Sequence, residues 1–255
     1  APLSFLHVLN NHTQNAATDL SGNIGLGSRE HLLEELASLD EKRAKLAQEQ
    51  GRLMLEASRT RAIENGIAEP EIRQRNGTLV ETLSELESDI RLLVIGKRGE
   101  EAHKASAHLG SNLERVVRSL HRPILMVPET FKLPQQVLIA FDGSATTRKG
   151  VEVMAASPLF RGLTCHVVMI GADVADTRSQ IDWALATLDE AGLDARGEIR
   201  AGGDVEESLR IYQQEHAIDM LVMGAYGHSR IRHLLVGSTT TAMLRKAMLP
   251  VMILR

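Results

Sequence analysis

Short runs of consecutive apolar residues recur along the chain, each closed by glycine, asparagine, aspartate or proline, and between them apolar residues return every three or four positions. Continuous apolar runs of this length predict strands buried on both faces, and the three-to-four spacing predicts helices. The C-terminal half reads regularly. Val137–Phe141 is a strand ended by the turn residues Asp142-Gly143-Ser144, with a helix from about Thr146. Thr164–Ile170 is a second buried strand. Asp176–Ala191 carries Ile181, Ala184, Leu185 and Leu188 at helical spacing and stops at Gly192. Ala195–Arg200 is a less apolar strand suited to a sheet edge, and Val205–His216 is a helix capped by Asp204. Met220–Met223, a helix over Ser238–Ala247, and Val251–Leu254 complete the pattern. Strands alternating with helices predict an open parallel sheet covered on both faces.

The same plan occurs twice. Gly96 and Gly224 lie 128 positions apart, as do Gly99 and Gly227, while Gly110 and Gly237, and Pro123 and Pro250, lie 127 apart. An apolar run, a glycine pair, Gly-Ser, a helical stretch and a Pro-led apolar run keeping one offset identify an internal duplication. The expected organisation is a first domain over residues 1–130 and a second over 135–255, joined near Pro128–Pro134. Leu3–Leu9 matches the second strand of the later copy, Thr164–Ile170, so the first copy has no counterpart of that copy's first strand, its aspartate or its first helix. A central strand cannot be removed without orphaning backbone groups on both neighbours, which predicts about 30 further residues upstream of Ala1.

The first copy also carries a helical insertion at about residues 28–65, with leucines at 32, 39, 46 and 53. Of the companion heptad positions Leu36, Arg43, Gln50 and Ala57, only Leu36 is strongly apolar. A helix packed on the sheet with its far end projecting is therefore favoured over an intermolecular zipper. Glu34, Glu35, Asp40, Glu41, Lys42, Arg43 and Lys45 read as a solvated face, and Asn11–Gly27 as a mobile loop.

Composition narrows the function. The 255 residues are 43% hydrophobic and 24% charged, enough for sizeable cores, and the net charge of −4 gives no basic field to hold a nucleic acid. No apolar run approaches the roughly 20 residues of a membrane span. The one cysteine, Cys165, rules out an internal disulfide, reads as a small core residue and fits a reducing cytoplasm. His103 with His108, and His228 with His233, are each five apart and lack companion thiols or carboxylates, so no metal site is expected.

The candidate chemistry lies in Gly224-Ala225-Tyr226-Gly227, followed after nine residues by Gly237-Ser238-Thr239-Thr240. Open parallel sheets bind ligands at the carboxyl ends of their strands, and glycines there admit a ligand close to backbone. A helix opening on Gly-Ser-Thr offers unpaired N–H groups and hydroxyls to a phosphate. Asp142, ending the neighbouring strand, can accept hydrogen bonds from a ribose or a base amine. Taken singly, Asp142 is also an ordinary turn aspartate and Ser238 an ordinary helix cap.

These residues resemble the universal stress protein family, whose ATP-binding members carry G-x2-G-x9-G-[ST] after the fourth strand and an aspartate after the first. The resemblance runs along nearly the whole chain, through VLIAFDGS at Val137–Ser144, GGDVEESL at Gly202–Leu209 and the segment from Ile218. It implies two tandem Rossmann-like α/β domains. It implies, too, that Ala140 and Asp142 face an adenosine with Val168 or Met169 beside the base, and that Gly224, Gly227, Gly237, Ser238, Thr239 and Thr240 cradle the phosphates. His228, directly after Gly227, stands within reach of a phosphate. ATP, ADP and AMP are the candidate ligands, with Mg2+ as a companion. In the first copy, Gly96-Lys97-Arg98-Gly99 is followed by ten residues before Gly110-Ser111, and Glu100 and Glu101 oppose a phosphate. The last strands of family domains pair into dimers, so Ile124–Val127 and Val251–Leu254 are expected to pair within the chain as a pseudo-dimer, with two chains associating further.

Three functions compete. The first is a cytoplasmic nucleotide-linked regulator that acts on a protein partner. The second is a stress adaptor or chaperone-like protein without nucleotide. The third is a weak ATP hydrolase, for which Asp142 with Mg2+ is the sole nominee, since no Walker-type lysine motif, nucleophile elbow or kinase signature is present.

Overall fold

Buried apolar runs form the expected parallel strands, but they divide between two sheets. The computed structural model describes residues 2–9, 26–97, 111–224 and 243–254. Their elements are β1 (Ser4–Leu9), α1 (Leu26–Glu64), β2 (Glu71–Asn76), α2 (Leu79–Glu85), β3 (Leu93–Gly96), α3 (Ser111–Ser119), β4 (Ile124–Val127), β5 (Gln136–Ala140), α4 (Ala145–Ala155), β6 (Thr164–Ile170), α5 (Ala175–Glu190), β7 (Asp194–Arg200), α6 (Val205–Glu215), β8 (Met220–Gly224) and β9 (Val251–Leu254). The compact units are Ala1–Glu85 and Leu86–Arg255. Packing thus divides the chain inside the first copy of the repeat.

In the first unit β1 and β2 pair in parallel, from Ser4 opposite Glu71 to Leu9 opposite Asn76. The helical insertion lies across them. Gly51 of α1 permits the close approach: a Cβ there would lie 2.4 Å from the His7 ring and 2.7 Å from the Gln74 amide, and Gln74 Nε2 donates to Gln48 O at 3.0 Å. Leu55 and Ala62 are buried on the same side, whereas no residue from His31 to Gln50 is buried. Exposed pairs such as Lys45–Glu41 at 2.6 Å form the solvated face. Leu26 and Gly27, expected in a loop, open this 39-residue helix instead; the rest of that loop lies outside the described residues.

The second unit is a seven-stranded sheet in the order β3-β4-β9-β8-β5-β6-β7. Every pair is parallel except β4–β9, where Ile124 stands opposite Ile253, Leu125 opposite Met252 and Met126 opposite Val251. The intramolecular pairing of the two last strands is therefore present, and it fuses the copies through buried side chains: Ile124, Met126, Val251 and Ile253 are all at most 1% exposed. The two copies correspond strand by strand. β1–β2 corresponds to β6–β7, and β3–β4 to β8–β9, while β5, which bonds to both β8 and β6, has no counterpart.

One face of the large sheet carries Val137, Ile139, Phe141, Cys165, Val167, Met169, Met220 and Val222 under Val151 and Met154 of α4 and Ile181, Ala184 and Leu188 of α5. Burial among these, with the negative charge of Asp194 nearby, pushes the Cys165 thiol up to about 11, so it is a core hydrophobe rather than a nucleophile. Strand alternation turns Leu138, His166, Val168 and Leu221 to the other face, which α6 covers. On α3, Leu113, Val116 and Val117 recur at helical spacing and are buried, as is Leu120 just beyond its end.

His166 is a buried polar side chain within the core. Its Nε2 donates to Gln136 Oε1 at 2.9 Å, and its Nδ1 accepts from the Tyr212 hydroxyl at 2.8 Å. Burial, and then the neighbouring His216 and Arg196, hold its pKa below the ordinary 6.5 against the opposing pull of Asp194 and Glu198. The fold thus favours the neutral ring. An unfolded chain takes up the proton near pH 6.5 and the folded one only at lower pH, so this stability is complete above that value and is lost as pH falls. The urea midpoint is expected to drop between pH 7.5 and 5.5, and His166→Gln to flatten that slope; an unchanged slope would assign the acid sensitivity elsewhere.

Candidate functional site

Strand order locates the site. From β5 the chain moves outward to β6 and β7, then returns to the opposite side of β5 for β8 and β9. The crevice where the order reverses lies at the carboxyl ends of β5 and β8, the position at which open α/β sheets take ligands. Asp142 follows β5, and Gly224 ends β8. This strand order thus brings together two residues 82 positions apart in sequence.

The turn after β5 is built from its own side chains. Gly143 has φ of +72°, a left-handed conformation that favours glycine, and any Cβ there would meet the Gln180 side chain. Ser144 caps α4, its hydroxyl accepting from Thr147 N at 3.3 Å. Ser144 N and Thr147 Oγ1 both donate to Asp142 Oδ1, at 3.0 and 2.7 Å. One oxygen is thus fixed, and the other, Oδ2, has no hydrogen-bond partner among the described residues. Partial desolvation pushes the Asp142 carboxyl up, but the hydrogen bonds from Ser144 and Thr147 outweigh it and hold the pKa below the ordinary value. The group is an anion at neutral pH and an acceptor only.

Arg148 braces this turn. Its Nε donates to Gly143 O at 3.0 Å, its guanidinium lies 4.6 Å from the Trp183 ring centroid, and Trp183 stacks on Phe141 with centroids 6.3 Å apart. None of Thr147, Arg148 and Trp183 was legible as a site residue. Thr147, third after the capping Ser144, carried the only local signal.

The other expected residues fall in several places. Ala140, the last residue of β5, stands between Val168 of β6 and Met223 of β8. Val168 and Met169 are both buried but on opposite faces, Met169 in the core beneath α5 with Phe141 and Ile181. Gly224 has a packing role too: a Cβ would come within 3.3 Å of the Thr146 and Thr147 methyl groups, so α4 passes close over the strand end. Gly227, His228, Gly237, Ser238, Thr239 and Thr240 lie outside the described residues, as do His103, His108 and His233. Residues 243–246, within the predicted helix Ser238–Ala247, are helical. In the first copy's loop Lys97 donates from Nζ to Ala247 O at 2.6 Å, tying that loop to the end of the second copy's last helix. Among the described residues no group of three or more His, Cys, Asp or Glu is placed to hold a metal, and no helix is long and apolar enough to cross a membrane.

The chain matches the universal stress protein family, whose model covers residues 1–128 and again 134–255. A universal stress protein of Synechocystis sp. is 38% identical over 257 residues, covering 99% of this chain and 89% of that protein. A solved universal stress protein of Archaeoglobus fulgidus has the same fold, with a TM-score of 0.70 over 98% of this chain and 86% of its own, at 18% identity. Another solved protein from the same organism is a universal stress protein in complex with dAMP; it is 19% identical, covers 49% of this chain and 100% of its own, and has a TM-score of 0.39.

Proposed function

The chain belongs to the universal stress protein family, and on that premise we propose that its second domain, residues 135–255, binds ATP and that nucleotide occupancy is its regulatory signal. The observation that carries the reading is Asp142: an anionic carboxylate at the switch-point crevice, one oxygen held by Ser144 and Thr147 and the other without a partner among the described residues. Oδ2 is suited to accept from ribose hydroxyls, while the segment Gly224–Thr240 supplies the phosphate cradle through Gly227, Gly237, Ser238, Thr239 and Thr240, with His228 beside it. Mg2+ would arrive with the nucleotide, held by its phosphates and by waters, as this ion usually is. The first domain, residues 1–130, acts as the structural or regulatory half, joined to the second through β4–β9.

The mechanism is linkage. Nucleotide binding only one of two conformations shifts the population toward it, and a protein partner that binds the same conformation responds. A reducing cytoplasm is the compartment this reading assigns. The test is calorimetric titration of the full chain with ATP and Mg2+, after stripping co-purified nucleotide. Saturation at one nucleotide per chain supports the proposal. Absence of both heat and thermal stabilisation by excess ATP overturns it in favour of an adaptor without nucleotide.

A further inference from the structure

The leucine repeat of α1 is not consumed by packing. Leu32, Leu39, Leu46 and Leu53 are 37%, 49%, 71% and 55% exposed, and Leu36 beside them 36%. At 100° per residue, Leu39, Leu46 and Leu53 fall about 140–180° round the helix from the Gly51–Leu55–Ala62 side that rests on β1 and β2. The stripe therefore points away from the sheet along a helix about 58 Å long at 1.5 Å per residue. A strict seven-residue leucine spacing drifts only about 20° per heptad and is the geometry by which one helix follows another.

We propose that this stripe is a self-association surface, and that its occupant is α1 of a second copy lying antiparallel. The polar companion positions decide the orientation. In a parallel pair the layers join like to like, placing Arg43 against the partner's Arg43 and Gln50 against the partner's Gln50. In an antiparallel pair each companion position meets a leucine: Leu36 the partner's Leu53, Arg43 the partner's Leu46, Gln50 the partner's Leu39, and Ala57 the partner's Leu32. The Arg43 stem then lies on an apolar surface with its head in water. Charge points the same way. Residues 31–41 hold Glu34, Glu35, Asp40 and Glu41 and no lysine or arginine, whereas residues 42–62 hold six basic and two acidic residues. A parallel pair lays the acidic ends together; an antiparallel pair separates them and sets Lys42 beside the partner's Glu49, opposed only by Glu35 beside the partner's Glu56. Two-fold symmetry closes the assembly at a dimer.

Sedimentation of the full chain at tens of micromolar is expected to give twice the chain mass, and the double variant Leu39→Glu/Leu46→Glu to give the monomer mass with unchanged circular dichroism. Both side chains are exposed, so the variant does not disturb the core. Orientation is read by oxidative cross-linking in a Cys165→Ala background. Chains carrying Leu39→Cys are expected to join those carrying Gln50→Cys and not one another. A monomeric wild type, a dimer that survives the double variant, or disulfides between two Leu39→Cys chains would each overturn the proposal.

Discussion

Gly237→Val is expected to weaken ATP binding by at least about 100-fold, or about 2.8 kcal/mol at 1.4 kcal/mol per decade, while leaving the fold intact. The residue opens the predicted helix Ser238–Ala247, where unpaired N–H groups and the Ser238 and Thr239 hydroxyls converge. A β-branched side chain there occupies the space through which a phosphate reaches backbone. Asp142→Asn is the milder companion. It keeps the shape and one acceptor oxygen but removes the charge, and hydrogen bonds to charged groups contribute roughly 1.5–3 kcal/mol, so a loss of about tenfold to 100-fold is expected. The split between the two variants is informative: Gly237→Val acts on any phosphate-bearing ligand, and Asp142→Asn on the sugar side as well. Titration of adenosine alone should accordingly register Asp142→Asn and be nearly indifferent to Gly237→Val. Saturation at two nucleotides per wild-type chain would assign a second site to the first domain.

Legibility in the sequence followed burial. β5, β6, β8 and β9 are nearly continuous apolar runs because both faces are covered, and such strands need little context to be read. β2, with the sequence EIRQRN, has no apolar run and no clean alternation; it becomes a strand only through its backbone bonds to β1, and it passed unread. The short α2 was missed for the same reason. Duplication identified β5 as the strand without a counterpart, but the division into two sheets is a property of hydrogen bonding rather than of pattern. At the site, Asp142 and Gly224 were legible as residue types. Their second roles were not: Asp142 Oδ1 anchors Ser144 and Thr147, and Gly224 makes room for α4, both of which depend on how α4 crosses the strand ends.

The strand paired with the one that ends beside the site carries the join between the copies, and this sets the last expectation. Gly224 of β8 stands opposite Leu254 of β9, and the next residue, Ile253, stands opposite Ile124 of β4. The path from the proposed phosphate loop to the first copy is therefore two residues of one buried strand. Ile253→Ala and Ile124→Ala, each at a side chain 1% exposed, should cost about 2–5 kcal/mol apiece in urea unfolding, the range for buried Ile or Leu truncated to Ala. Because the two face each other directly, the double variant should lose less than the sum, by about 0.5–3 kcal/mol. ATP at 100 times its dissociation constant adds about 2.7 kcal/mol to whatever unfolds together with its site. If the seven strands unfold as one unit, ATP raises the same transition that Ile124→Ala lowers, although Ile124 belongs to the first copy. If Ile124→Ala instead creates a separate transition indifferent to ATP, the β4–β9 seam is a contact between independent halves, and nucleotide occupancy is not transmitted across it.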